Sequence, residues 1–142
     1  MSVKALLFSS QGRINRKTFW MWNAVYYITI LGSAVGVNTL FPAYSYLILP
    51  VILIALAIPD LVITLKRWHD RNKSAYWLAL NIPLILGRVV LPSGGADAAT
   101  QSMTTLQSAV SISALICGIW ILIECGFMKG TTGTNKYGPQ PD

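Results

Sequence analysis

Long apolar blocks, separated by short polar stretches, govern what this 142-residue chain can fold into. A helix needs about 17–25 mostly apolar residues to cross roughly 30 Å of hydrocarbon. The first block runs from about Phe19 to Phe41 and the second from about Tyr44 to Leu65. Only a very short link joins them, so they form an antiparallel hairpin. Pro50 and Pro59 predict a kink in the second, since each removes a backbone hydrogen bond. The third block, Tyr76 to Leu91, has only about 16 residues and contains Pro83 and Arg88. The fourth runs from about Thr105 to Met128. Charged residues are 11% of the chain, against about 25% in ordinary soluble domains. The expected fold is a single all-α membrane domain over residues 1–142. It is a four-transmembrane-helix bundle with a short N-terminal interfacial segment and a Gly/Pro-rich cytoplasmic tail.

The basic residues orient that bundle. The net charge is +6. Lys4, Arg13, Arg16 and Lys17 lie in segment 1–18, Lys66, Arg67, Arg71 and Lys73 in segment 66–75, and Lys129 and Lys136 in segment 129–142. The other two connections carry no Lys or Arg and only Asp97. Four spans bring all three basic segments to one side, which is then cytoplasmic. Without the short third span the tail would lie opposite the middle loop, so the charge pattern argues for that span. Trp20, Trp22, Trp68 and Trp77 fall near the same boundary, where indole rings favour the wet–dry interface. Charges flanking apolar blocks point to anionic lipid as a partner and not to nucleic acid. Val3 to Phe8 is too short for a signal-peptide core and reads as the interfacial segment.

Several polar residues stand out against a purely structural bundle. Asn23, Asp60, Asn81 and Glu124 all fall about 6–9 Å inside the cytoplasmic boundary when counted at 1.5 Å per residue. One reading is a shallow cup for a cation, a proton or a basic partner. The other is a clamp of interhelical hydrogen bonds, with the carboxylates paired to Arg13, Arg16 or Arg67. Arg88, near the outer end of its helix, either snorkels to the outer surface or joins a buried ion pair on a substrate path. Gly32 and Gly36 have the spacing that lets helices approach closely, either within the chain or between two copies. His69 and Asp70 are neighbours on a helix and do not form an aligned catalytic dyad, and Ser74 is merely nearby. With one histidine, no metal site is expected, nor any cofactor or catalysis. Cys117 and Cys125 are about 12 Å apart along one helix, too far to pair within it. Gly130, Gly133 and Gly138 read as turns beneath the bundle.

Three ordered motifs resemble a known family. Gly12-Arg13-Ile14-Asn15-Arg16-Lys17-Thr18-Phe19-Trp20 resembles the GRxxRxxFW entry of the YhaH-like bacterial inner-membrane proteins, domain of unknown function 805. The stretch from Lys66 to Trp77 resembles that family's RRxHDxxxSxWW loop, and Gly130 to Pro141 its GTxGxNxYGPDP tail. Lys66 stands where Arg is usual, Tyr76 where Trp is usual, and Gln140 where Asp is usual. The segment Pro92 to Thr104 looks extended. The resemblance implies a bacterial inner-membrane location and supplies no activity.

All three motifs fall on the basic side, so that face is the expected working surface. Arg13, Arg16, Arg67, His69, Asp70, Arg71, Ser74, Asn135 and Tyr137 are its candidate site residues. They would form a cytoplasmic cap that binds lipid head groups or a protein partner, or that locks the three segments together. The alternative function is a small transporter or channel component using Asp60, Glu124 and Arg88.

Overall fold

A computed structural model describes residues 1–90 and 104–141, the side chains of residues 88–90 excepted. Arg88 and most of the Pro92–Thr104 connection therefore lie outside the described side chains. The described residues form five α-helices and no strand, apart from an isolated bridge between Asn135 and Gly138. They are α1 (Val3–Phe8), α2 (Arg16–Leu40), α3 (Ser45–Asp70), α4 (Asn81–Val90) and α5 (Thr105–Ile121). Short 3₁₀ turns precede α3 (Pro42–Tyr44) and α4 (Ala75–Leu80), and a π-helical turn, Leu122–Phe127, follows α5.

Local chemistry sets the helix ends. Asn15 starts α2 by accepting from the Thr18 N–H at 2.8 Å. Thr104 and Gln107 form a reciprocal capping box at α5. Asn72 ends α3 at φ 58°, a left-handed conformation that asparagine tolerates. There the Lys73 N–H reaches the Trp68 carbonyl and the Asn72 N–H the His69 carbonyl, both at 2.9 Å, as in a Schellman motif. The expected second block is continuous as α3 through Pro50 and Pro59. The expected third block is shorter as an α-helix than the apolar run, because its first turn and a half is 3₁₀.

Burial runs opposite to that of a water-soluble domain. Every residue from Ile63 to Asp70 is buried, five of them polar or charged (Thr64, Lys66, Arg67, His69, Asp70). Meanwhile Ile28, Leu31 and Val35 of α2, Val51, Ile54 and Ile58 of α3, and Ile112, Leu115 and Ile116 of α5 are exposed. Two helical stretches are long and apolar enough to cross a membrane: Pro42–Asp70, 29 residues, and Thr105–Phe127, 23 residues. Only 17% of the apolar window in each is buried, so neither is a core helix hidden inside protein. Apolar surface of this extent points to a membrane partner. The compact core lies at the polar end, where Ile14, Phe19, Ile63, Trp68, Ile121 and Cys125 cluster beneath Leu6 and Leu7 of α1.

Gly32 and Gly36 do not seat another described helix, since a Cβ built on either meets nothing within 4 Å. Gly32→Ala and Gly36→Ala should therefore leave the monomer folded and raise its melting temperature slightly, each gaining up to about 1 kcal/mol of helix propensity. Thermal unfolding of the detergent-purified variants checks this, and a lower melting temperature would show a packed face.

Candidate functional site in the basic cap

The buried end of α3 is held by the two termini folding over it. Arg13, from the segment before α2, is 4% exposed, Arg67 0% and Asp70 4%. Asp70 Oδ1 accepts from Arg13 Nε at 3.0 Å and lies 2.8 Å from its Nη2. Asp70 Oδ2 accepts from Arg67 Nη1, one helical turn earlier. One carboxylate thus sits between two guanidinium groups.

The remaining guanidinium N–H groups are spent on backbone. Arg13 donates to the carbonyls of Thr131 (2.5 Å), Gly133 (2.6 Å) and Gly138 (3.2 Å) in the tail. Arg67 donates to the carbonyls of Cys125 (2.6 Å) and Met128 (2.5 Å) at the end of the last helix. The fixed guanidinium fork suits this role, offering five donors in one plane. Asp70 also binds the tail through its own carbonyl, which accepts from the N–H (2.7 Å) and hydroxyl (3.0 Å) of Thr131. Gly130 gives the close approach, since any Cβ there would overlap the Asp70 carboxyl group.

The other candidate residues surround this knot. The His69 and Tyr137 rings stack 3.9 Å apart at 7°. Asn135 Nδ2 donates to the His69 carbonyl at 2.9 Å and to Thr131 Oγ1 at 2.7 Å. Arg71 grips Glu124 Oε2 through Nε (3.1 Å) and Nη2 (3.0 Å). Lys73 lies 3.3 Å from Oε1 of the same carboxylate and 4.1 Å above the Trp77 ring. Ser74 heads the 3₁₀ turn Ala75–Leu80 without a side-chain capping bond. Lys66 donates to the Ala5 (2.5 Å) and Leu6 (2.9 Å) carbonyls, tying down the C-terminal end of α1.

The polar residues expected at one depth divide into two groups. Asn23, Asp60 and Asn81 line one cleft of about 100 Å³, with Trp22 Nε1 donating to Asp60 Oδ1 at 3.0 Å. Glu124 is not among its lining residues and belongs to the Arg71–Lys73 ion cluster. A second, larger pocket of about 310 Å³ lies in the cap itself. Arg16, Lys129, Asn15, Thr131, Thr132 and Gln140 line it, and Arg67 and Asp70 also contribute to its wall. Three cations and one carboxylate leave that wall at +2. Arg16 and Lys129 are exposed, and Arg16 donates to the Phe127 carbonyl at 3.0 Å.

Sequence reasoning placed the three motifs on one face but missed Gly130, Thr131 and Lys129 as site residues. The only signal for the first two was the Gly130-Thr131 start of the tail motif. The family profile described as "Protein of unknown function (DUF805)" matches residues 7–139, which takes in Arg13, the α3 end and nearly all of the tail. The chain belongs to the DUF805 family. Among its DUF805 relatives is the "Uncharacterized protein YiiR" of Escherichia coli strain K12. It is 32% identical over 144 residues, covering 97% of this chain and 89% of that protein. The YiiR protein of Escherichia coli O157:H7 matches to the same extent. No solved structure matches the chain.

Proposed function

We propose that this DUF805 protein is a four-span protein of the bacterial inner membrane, with both termini cytoplasmic, whose cap binds the phosphate of an anionic lipid head group and catalyses no reaction. The observation that carries this reading is the +2 cap pocket framed by exposed Arg16 and Lys129. Arg13 and Arg67 are neutralised or spent on backbone, so their role is to hold the cap together and not to grip lipid. Arg16 and Lys129 remain for phosphate, with Thr132 also in the lining.

The span count is supported by length and by charge. The 25 residues of α2 reach about 37 Å, enough for the hydrocarbon layer, and the exposed apolar faces of α2, α3 and α5 suit lipid tails. With α4 as the short fourth span, every basic segment comes to one end.

Replacing Arg16 and Lys129 together by Gln removes both charges without touching the Arg13–Asp70–Arg67 knot. Each near-surface cation contributes about 1 kcal/mol toward anionic lipid, so the double variant should bind phosphatidylglycerol roughly 30-fold more weakly. Native mass spectrometry of the purified protein, titrated with phosphatidylglycerol or phosphatidylcholine, reads this directly. Unchanged phosphatidylglycerol retention in the double variant would sink the proposal. A parallel titration with inorganic phosphate separates lipid from free anion.

A further inference from the structure

His69 is where the three segments of the cap meet one titratable ring. It is the one histidine of the chain, and histidine is the side chain whose ordinary pKa, about 6.5, lies within reach of neutral pH. The ring is 8% exposed and stacks on Tyr137 of the tail at 3.9 Å and 7°. The backbone of Gly12, in the N-terminal segment, also reaches it. The His69 carbonyl accepts from Asn135 of the tail at 2.9 Å. Nδ1 is buried and has no hydrogen-bond partner among the described residues.

A neutral imidazole tolerates that position, because Nδ1 can be its unprotonated nitrogen. An imidazolium does not, since both nitrogens become donors and one N–H is left buried without an acceptor. The surrounding charges offer no relief. On the tail, Lys136 Nζ lies 5.0 Å from the Tyr137 ring centroid, so the ring that would attract an imidazolium already holds a cation. Beside Gly12 stands Arg13, and with Arg67 and Asp70 of α3 it forms a knot of net charge +1. Lys66, one turn earlier on α3, bonds to α1, and Arg71 and Lys73 pair with Glu124. The last carbonyls of α3, which would favour a cation, already accept from Asn72, Lys73, Thr131 and Asn135. Burial accordingly lowers the pKa of this ring, which lies in the cap beyond the apolar span; the Gly12 backbone opposes the shift and Lys136 adds to it.

We propose that His69 is a proton-operated latch on the cap: a proton taken up at Nδ1 drives the ring out of its stack on Tyr137 and frees the tail. The closed cap binds this proton less well than the open one. Closure is therefore complete above the ordinary imidazole pKa and weakens as pH falls below about 6.5. Thr131, Thr132, Gln140 and Pro141 of the tail line the cap pocket, so opening removes part of that pocket's wall. The latch does not depend on the lipid reading of the pocket, and its test titrates no lipid.

The experiment is NMR of the detergent-purified full chain between about pH 7.5 and about pH 5.5, with its single histidine isotope-labelled. Ring shifts read the protonation of His69. Hydrogen exchange at the Thr131 N–H, held by the Asp70 carbonyl at 2.7 Å, reads closure of the tail. The ring should remain mostly neutral at about pH 6.5, where an ordinary imidazole is half protonated. After correction for intrinsic exchange, the Thr131 rate should rise roughly tenfold by about pH 5.5, the protonated-to-neutral ratio of a free imidazole there. His69→Gln cannot take up the proton and should abolish that rise. Should this variant fail to fold, the two readouts on the parent still decide the matter. A ring already half protonated at about pH 6.5, a Thr131 rate that stays flat, or a rise that persists in His69→Gln would overturn the proposal.

Discussion

Asp70→Asn should lower the stability of this protein by roughly 3–5 kcal/mol, the cost of leaving buried charge without its partner. The reason is the geometry of the knot. Arg13 and Arg67 approach the two oxygens of one carboxylate, and none of the three side chains has appreciable contact with water. An amide cannot neutralise two guanidinium groups, and its NH₂ would face one of them as a second donor. Stabilities of folded domains are about 5–15 kcal/mol, so a loss of this size is a large part of the whole. The same substitution at Glu124 should cost far less. Its ion pairs with Arg71 and Lys73 are partly exposed, and such pairs contribute about 0–1 kcal/mol. Size-exclusion profiles and melting curves of Asp70→Asn and Glu124→Gln, side by side, check the contrast. Equal melting temperatures would show that the knot is not what holds the cap.

Gly130→Ala should be nearly as damaging, for a steric reason. An added Cβ would overlap Oδ2 and Cγ of Asp70 and come within 2.7 Å of Oδ1. The carboxylate cannot swing aside without leaving one of its two arginines, and the tail cannot retreat without breaking the Thr131 bonds to the Asp70 carbonyl. Overpacking alone costs about 1–3 kcal/mol, and displacement of a paired carboxylate adds to it. The two effects share one cause, so they should not sum. Gly130→Ala introduced into Asp70→Ser, which has a smaller side chain, should cost at least 1 kcal/mol less than in the parent. Additive losses in that double-mutant cycle would place the clash elsewhere. The family's tail motif begins with this glycine, and the contact gives it a physical reason.

How much of this was readable beforehand depends on the distance over which a partner must be found. Asn15 as a cap and the turns of the tail follow from residues close in sequence, and local propensity reveals them. The convergence of the three motifs followed from charge, because a bilayer sorts basic segments to one side. Counting at 1.5 Å per residue set Asn23, Asp60 and Asn81 at similar heights on their helices, and the three line one cleft. Which face each residue presents was not legible, since adjacent helical positions point about 100° apart and packing sets the rotation. Arg13 and Asp70 are 57 positions apart, and nothing local distinguishes their pairing from Arg13 with Glu124. Glu124 lies on the π-helical turn Leu122–Phe127 and pairs with Arg71 and Lys73, a partnership no local signal announces.

The grip of Arg13 on the tail has a consequence for how the protein is made. Arg13 leaves the ribosome 118 to 125 residues ahead of its acceptors at Thr131, Gly133 and Gly138. Until they emerge, that guanidinium has only water and, once α3 is in place, Asp70 to bond with. The cap is therefore a seal that closes only after the last described helix has been made. A chain cut short just before Thr131 would keep every described helix and still lack the three bonds by which Arg13 holds the tail.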